Sequence, residues 1–195
     1  WKVRRVWKLC GQSKITGFPS RHFVHGLQTK RGTTLNLIQR KWLAVSALIV
    51  FALDYSTKQL AIHYLSDEPE NIIGSLLQFR LIYNSGAAFS LASSGTIFLS
   101  SFSIITAAVI FYFGRKVTST PWAIALGLVL GGIFGNLTDR IFRSPGGLQG
   151  EVVDWIQIPN WPVFNIADSA VVCGAILITV LNWKNIEFSK SEDKE

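Results

Sequence analysis

Residues 122–142 read WAIALGLVLGGIFGNLTDRIF, and this stretch decides what kind of fold the chain can form. A bilayer core about 30 Å thick needs about 20 mostly apolar residues in a helix, so the stretch is long enough to cross it. Pro121, directly before it, is a good residue with which to begin a helix. Asn136, Asp139 and Arg140 lie near its far end, where polar side chains are costly in lipid and usually mark function.

Three further segments are apolar and long enough to span a bilayer, namely residues 42–65, 96–113 and 163–183. Only 16% of the 195 residues are charged, whereas soluble domains carry about 25%. The sequence therefore predicts an all-α membrane protein with four transmembrane helices. The opening stretch also has a small-residue face that predicts close helix packing, formed by Gly127, Gly131, Gly132 and Gly135.

Flanking charge sets the direction of the predicted spans, because cytoplasmic flanks carry an excess of Lys and Arg. The segment before the first span is basic, and Arg115 and Lys116 are the only charges between the second and third spans. These flanks should share the cytoplasmic side. Both termini are therefore expected inside, and the connections 66–95 and 143–162 outside.

The first outer connection contains a segment of a different kind. Residues 78–83 read QFRLIY, and the start of this run alternates polar and apolar side chains, which is typical of a strand. Arg80 and Asn84 argue against a further span across residues 71–92. We expect a short strand or hairpin here, a small extracytoplasmic β element resting on the membrane surface.

The two ends of the chain differ from the predicted four-helix membrane domain, residues 39–188. Ten of the 19 Lys and Arg lie in residues 1–41, which contain no Asp or Glu. Residues 1–38 are expected to be a basic N-terminal extension, poorly ordered and cytoplasmic, and residues 189–195 a charged C-terminal tail. The extension fits a cytoplasmic retention signal, a surface for anionic lipid or an organelle transit peptide. Nucleic acid is not an expected partner, because the extension lacks a recognisable binding motif.

Polar side chains on three predicted helices converge near the outer boundary of the membrane. Asp54 and Lys58 are four residues apart and Asn165 and Asp168 three apart, so each pair lies on one helix face. These faces should turn away from lipid and towards the other helices. The outer connections add three residues on the same side, which are the loop carboxylate Asp154, Asn84 and Gly86.

Several of these side chains also have a purely structural interpretation. Asp54 and Lys58 fit an intrahelical ion pair as well as they fit a functional role. Asp139 and Arg140 fit structural contacts between helices, and Asn136 fits a hydrogen bond to a neighbouring helix. Spacing alone does not choose between these interpretations.

The residue types narrow the chemistry that this boundary can perform. The three His and two Cys residues have neither metal-ligand spacing nor an evident nucleophile–base arrangement, and no G-x-S-x-G or phosphate-binding motif occurs. No metal site and no cofactor are therefore expected. What remains are carboxylates, and two of them held close together can share one proton, activate water and polarise a carbonyl.

Asp154 and Asp168 are the best candidates for such a pair. Asp168 has no basic residue near it in its own helix, so it needs a polar partner or must keep its proton. Pro159 and Pro162 interrupt the chain between the two acids, which cannot form one continuous helix and can fold back. The acids are therefore expected to meet near the outer membrane boundary.

Five short motifs follow one another along the predicted membrane domain. They are DYSTK (54–58), YNSGAAFS (83–90), GGIFGNLTDRIF (131–142), GEVVDW (150–155) and FNIADS (164–169). In this order they resemble the motifs of the bacterial lipoprotein signal peptidases (signal peptidase II). The resemblance covers residues 42–183 and leaves the N-terminal extension out.

The resemblance implies a membrane aspartic endopeptidase that removes signal peptides from diacylglyceryl-modified prolipoproteins, cutting before the lipid-bearing Cys. Its catalytic residues would be Asp154 and Asp168, and it would need no cofactor. Its partners would be lipid-modified prolipoproteins and membrane lipid, at the outer face of the bacterial cytoplasmic (inner) membrane. A chain of this size could act alone, so we expect a monomer. The implied supporting or substrate-binding residues are Asp54, Lys58, Asn84, Gly86, Asn136, Asp139, Arg140 and Asn165.

Two other functions also use buried acids. A proton-coupled membrane transporter predicts polar groups along the full membrane depth, whereas the inner halves of the predicted helices are nearly free of charge. A non-catalytic membrane assembly protein predicts that loss of either acid leaves activity in cells unchanged. Cleavage of a lipid-modified precursor peptide separates the peptidase from both.

Overall fold

The computed structural model describes residues 21–86 and 92–189, with side chains from residue 37 and, after the gap, from residue 95. The chain divides into two compact units, residues 1–34 and 35–195, and the site lies in the second. What the sequence predicts for residues 1–20 and 190–195 lies outside the described residues. The elements in chain order are α1 (Arg21–Tyr64), β1 (Glu70–Ile73), β2 (Leu77–Asn84), α2 (Ala92–Gly114), α3 (Thr120–Phe142), β3 (Val152–Gln157) and α4 (Ile166–Trp183).

Three helices in the described part of the chain are long and apolar enough to cross a membrane. Each coincides with a predicted span, although the last begins only after Asn165, which caps it. The helical character predicted for these segments is therefore confirmed. The three ranges are Gly95–Gly114 of α2, Thr120–Phe142 of α3 and Ile166–Trp183 of α4.

The predicted first span, residues 42–65, lies almost entirely inside α1 but is not among these three. Asp54 and Lys58 interrupt its apolar run. α1 also begins at Arg21, well before residue 42. Among the described residues there are thus three candidate spans rather than the four expected.

The glycines of α3 let the neighbouring helices approach it closely. A Cβ atom on Gly127 would collide with Ser46 of α1, and one on Gly132 would collide with the backbone carbonyl of Ala167 in α4. The small-residue face predicted from the sequence is therefore a packing face. Around it lies a buried apolar core formed by Ala47, Ala107, Ile110, Leu126, Val129, Leu130 and Ile133.

The three strands form one antiparallel sheet in the order β1-β2-β3. β1 and β2 form the hairpin predicted after the first helix. The expectation that Asp154 lies in a loop is wrong, because Asp154 lies in β3 opposite Ile82 of β2. β3 depends on partners distant in sequence and on a bridge between Ile156 and Phe164, so a local pattern does not reveal it.

Chain order brings the sheet to one end of the helices. β2 precedes α2, and β3 connects the end of α3 to the start of α4. Asp139 of α3 also holds β3, since its Oδ2 accepts a hydrogen bond from the Val153 N–H at 3.3 Å. Asp154, the next residue of the strand, is thereby held near the first turn of α4.

Candidate active site

The first turn of α4 positions Asp168. The Asn165 side chain accepts a hydrogen bond from the Asp168 N–H at 2.9 Å, and Asp168 Oδ2 accepts one from the Asn165 N–H at 3.2 Å. This capping box satisfies backbone N–H groups that the start of a helix leaves without partners. The three-residue spacing in FNIADS is therefore the spacing of a helix cap that also fixes an acid.

Asp154 reaches the same place from β3 and is only 2% exposed. Asn165 donates to its Oδ1 at 2.7 Å, and Asn84 donates to its Oδ2 at 2.9 Å. Burial is the main cause that raises the pKa of Asp154 from 3.8 to about 6. The charge of Asp168 adds to this rise, while the hydrogen bonds from Asn84 and Asn165 oppose it.

Asp154 and Asp168 line one cavity of about 260 Å³. A cavity of this size and polarity has room for water beside the acids. The fold-back between Pro159 and Pro162 thus brings the acids of β3 and α4 to a common space. The other lining residues are Asn84, Leu99, Ser100, Ser103, Asn136, Leu137, Arg140 and Val152.

Asn136 of α3 connects this cavity to the neighbouring helices. Its Nδ2 donates to Asp168 Oδ1 at 2.7 Å. Its Oδ1 accepts from Lys58 Nζ at 2.9 Å and from Asn165 Nδ2 at 3.1 Å. The hydrogen bond to a neighbouring helix that the sequence suggested for Asn136 is therefore present, and its acceptor is Asp168.

Asp54, Lys58 and Asp139 form a buried ion network between α1 and α3. Lys58 Nζ lies 2.7 Å from Asp54 Oδ2 and 2.8 Å from Asp139 Oδ2. Asp54 Oδ1 also accepts a hydrogen bond from the Ala167 N–H of α4 at 2.9 Å. The intrahelical Asp54–Lys58 pair therefore exists, and both members also hold other helices. Arg143, 2.5 Å from Asp139 Oδ1, is a partner that the sequence analysis missed despite its i,i+4 spacing.

Arg140 fixes the backbone around Asn84. Its Nη1 donates to the carbonyl oxygens of Asn84 at 3.2 Å and Gly150 at 2.9 Å. Gly86 adopts a φ of 79°, which glycine tolerates, and its N–H donates to Asn84 Oδ1 at 2.8 Å. Arg140 thus holds the backbone of Asn84, and Gly86 holds its side-chain oxygen, so that the side chain stays next to Asp154.

Two hydroxyl groups of α2 support the same region, and the sequence analysis missed both. Thr96 donates to the carbonyl oxygen of Ser85, and Ser100 donates to that of Leu148 at 2.7 Å. Both hydroxyl-bearing residues are buried. The available signal is their four-residue spacing, which places them on one face of an otherwise apolar helix.

We expect Ser100→Ala to lower the free energy of unfolding by about 1 kcal/mol, because it leaves the Leu148 carbonyl without this donor. Thermal unfolding of the purified protein in detergent measures the effect. Thr106→Ala, which removes an exposed hydroxyl from the same helix, is the matched control. Equal melting temperatures for the two variants would show that the Ser100 bond contributes little.

The described site contains carboxyl, amide, ammonium and guanidinium groups together with the hydroxyl groups of α2. Among the side chains that the structure describes, those of residues 37–86 and 95–189, no group of three or more His, Cys, Asp or Glu is placed to hold a metal ion. Cys173 is exposed on α4, and the His63 ring contacts Tyr64. The polar groups that line the cavity are the acid pair, the amides of Asn84 and Asn136, the guanidinium of Arg140 and the hydroxyl groups of Ser100 and Ser103.

The model of one protein family, signal peptidase (SPase) II, matches residues 46–184. The chain belongs to this family. The matched range includes every residue of the acid pair, the amides and the ion network described above. The resemblance inferred from the five motifs is thereby confirmed.

Relatives of similar length support the assignment to signal peptidase II. The lipoprotein signal peptidase of Streptomyces griseus is 44% identical over 183 residues, which are 89% of this chain and 93% of the relative. That of Streptomyces coelicolor is 48% identical over 142 residues, 72% of this chain and 70% of the relative. That of Mycobacterium tuberculosis strain H37Rv is 45% identical over 143 residues, 73% and 71% of the two chains.

Solved structures lead to the same conclusion. One bacterial membrane enzyme matches with a TM-score of 0.66 and 29% identity, over 73% of this chain and 93% of that chain. A second matches with a TM-score of 0.64 and 28% identity, over 78% and 94%. Together with the apolar helices, these likenesses make the chain a multi-pass membrane protease of the signal peptidase II family.

Proposed function

We propose that this protease is an aspartic endopeptidase that removes signal peptides from diacylglyceryl-modified prolipoproteins, cutting before the lipid-bearing Cys. The observation that carries the proposal is the single cavity lined by Asp154 and Asp168, in which amide groups donate to both acids. Relatives at 44% and 48% identity bear the name lipoprotein signal peptidase, which supports this substrate class.

In the proposed mechanism the acid pair shares one proton. Asp154 holds it, because burial raises its pKa to about 6, and Asp168, whose oxygens accept from Asn136 and the Asn165 N–H, acts as the base. Asp168 removes a proton from water as the water oxygen attacks the scissile carbonyl carbon, and Asp154 protonates the carbonyl oxygen. Transfer of a proton from Asp168 to the peptide nitrogen then breaks the C–N bond. Return of the hydroxyl proton to Asp154 restores the pair.

The other eight predicted site residues hold the acid pair in place. Three of them are side-chain amides that donate to the acids or to one another. Three are ions that join the helices. The last two hold Asn84 at the end of β2. Substrate backbone near the scissile bond can also reach the amides that line the cavity. In that order the residues are Asn84, Asn136 and Asn165, then Asp54, Lys58 and Asp139, then Arg140 and Gly86.

We place the acids at the outer face of the bacterial cytoplasmic (inner) membrane, with four transmembrane helices and both termini cytoplasmic. In support of a spanning α1, Leu48 is 66% exposed while Asp54 and Lys58 are buried, so its apolar face is free for lipid. The basic Arg115 and Lys116 between α2 and α3 favour a cytoplasmic connection. The sheet at the opposite end is then extracytoplasmic, and the enzyme acts as a monomer on substrates held in the same membrane.

Cleavage of a synthetic precursor tests the proposal. Purified protein in lipid–detergent micelles should cut a diacylglyceryl-modified peptide before its modified Cys, and mass spectrometry of both products locates the cut. The same peptide without the diacylglyceryl group is the control and should be cut far more slowly. Folded protein that leaves the modified peptide intact would instead favour the transporter or the assembly protein.

The pKa of Asp154 gives a pH prediction with a defined sign. If Asp154 acts in its neutral form, kcat/KM falls as the pH rises through the pKa of the free enzyme, about 6. Asn84→Ala removes a hydrogen bond that lowers this pKa, so the falling limb should move to higher pH. Gln78→Ala, an exposed change on the same strand, is the control. A limb that stays in place or moves to lower pH would refute the role given to Asp154.

A further inference from the structure

Two of the three amides around the acid pair are oriented by backbone groups. Asn84 Oδ1 accepts from the Gly86 N–H, and Asn165 Oδ1 accepts from the Asp168 N–H. A backbone N–H can only donate, so each amide oxygen is committed to the backbone. The NH2 groups of both residues must therefore turn towards the site, where both donate to Asp154.

The third amide, Asn136, is oriented by two side chains, because its Oδ1 accepts from Lys58 and also from Asn165 Nδ2 at 3.1 Å. Lys58 Nζ lies 2.9 Å from Asn136 Oδ1, and an ammonium group can only donate. With the amide reversed, its NH2 group would face the ammonium and its oxygen would face Asp168. Both contacts would be repulsive. Lys58, as the charged donor beside Asn165, therefore favours the orientation in which Asn136 donates to Asp168 at 2.7 Å.

Lys58 can do this because it is itself fixed. It is 1% exposed, and its ammonium lies between Asp54 and Asp139 at 2.7 and 2.8 Å. Two neighbouring carboxylates hold a buried ammonium group in one direction. The described contacts thus form a continuous chain, Asp54–Lys58–Asn136–Asp168, from α1 through α3 to α4.

We propose that Lys58 is a positioning residue for the acid pair, which acts through Asn136 to keep a hydrogen-bond donor on Asp168. Its contacts in the described structure go to Asp54, Asn136 and Asp139, so its effect on Asp168 is indirect. This inference rests on the proposed peptidase function. It assigns to Lys58 a role in the reaction that is separable from joining α1 to α3.

The double variant Asp54→Asn/Lys58→Met tests the inference. It removes both members of an ion pair together, keeps an amide oxygen for the Ala167 N–H, and leaves Asp139 paired with Arg143. We expect kcat to fall on the order of 10–100-fold, because the Asn136 oxygen loses its charged donor and keeps only that of Asn165. KM should stay within about twofold, since neither Asp54 nor Lys58 is among the residues that line the cavity.

A second variant, Asn136→Asp, separates the catalytic role from the structural one. The new carboxyl group still accepts from Lys58, but when ionised it places a negative charge against Asp168 where Asn136 has a donor. We expect a loss of kcat at least as large as that of the double variant, and the melting temperature measures separately what the two like charges cost in stability. Because Lys58 acts through Asn136, the triple variant with Asn136→Ala should lose little more than Asn136→Ala alone.

The outcomes divide cleanly. Wild-type kcat in Asp54→Asn/Lys58→Met, or losses that multiply in the triple variant, would overturn the positioning role. If the double variant does not fold, Asn136→Asp decides, and wild-type kcat in that variant would equally overturn the inference. Asp154→Asn and Asp168→Asn are measured beside them. Activity in both of those would refute the proposed function, whereas inactivity in both with an active double variant would refute only the role of Lys58.

Discussion

Asp154→Asn and Asp168→Asn are each expected to abolish cleavage of a lipid-modified precursor, with losses in kcat on the order of 10²–10⁴-fold, the contribution typical of general acid–base groups. Asparagine has nearly the shape of aspartate, so the cavity stays filled. It can neither take a proton from water nor deliver one to the scissile carbonyl. The amides around each acid would then meet a neutral partner instead of a shared charge.

The measurement is single-turnover cleavage with the precursor bound in micelles, so that weaker binding does not obscure a loss of chemistry. Glu151→Gln is the matched control, since Glu151 is a partly buried carboxylate three residues before Asp154. It should retain nearly full activity. Cleavage that survives both asparagine variants would remove the acid pair from the mechanism.

The second large effect is expected from Gly132→Ala, which should lower the free energy of unfolding by about 1–3 kcal/mol. The added Cβ would collide with the carbonyl oxygen of Ala167, which is backbone and cannot move aside as a side chain could. The affected turn of α4 also contains Asp168. We therefore expect a melting temperature several degrees lower, together with reduced activity.

Gly114→Ala is the control for this prediction. Its Cβ would meet only the end of the Leu43 side chain, which can rotate away. Thermal unfolding in one detergent compares the two variants directly. Equal melting temperatures would mean that α3 and α4 can separate slightly without losing stability. The glycine face would then not be a close-packed contact.

Sequence patterns predict the helical part of this fold well, because the signal is local. Three of the apolar stretches correspond to α2, α3 and α4, and the hairpin lies where polar and apolar side chains alternate. β3 could not be predicted in the same way. Residues 152–157 form a strand because β2 and Phe164 supply distant partners, and no run of neighbouring residues reports that pairing.

The candidate site shows a similar limit. Helical spacing identified Asp54 with Lys58, and Asn165 with Asp168, as pairs on one face. It could not indicate that Lys58 also contacts Asn136, because that hydrogen bond joins residues 78 positions apart. A sequence likewise does not show which way a side-chain amide is turned, since its orientation depends on the hydrogen-bond partners that the fold brings near it.

The charged groups of the site have a consequence for what can enter the cavity. Lys58 and Arg143 balance Asp54 and Asp139, and Arg140 balances the acid pair while that pair keeps one proton. The charges of these seven groups then cancel in a mostly buried region, apart from Glu151, which also acts on Arg140 and is only partly buried. A substrate segment with an ionised side chain beside its scissile bond would disturb that neutrality at a cost of several kcal/mol, estimated as about the penalty for burying one uncompensated ion. Selectivity for uncharged residues at the cut would therefore need no dedicated recognition pocket.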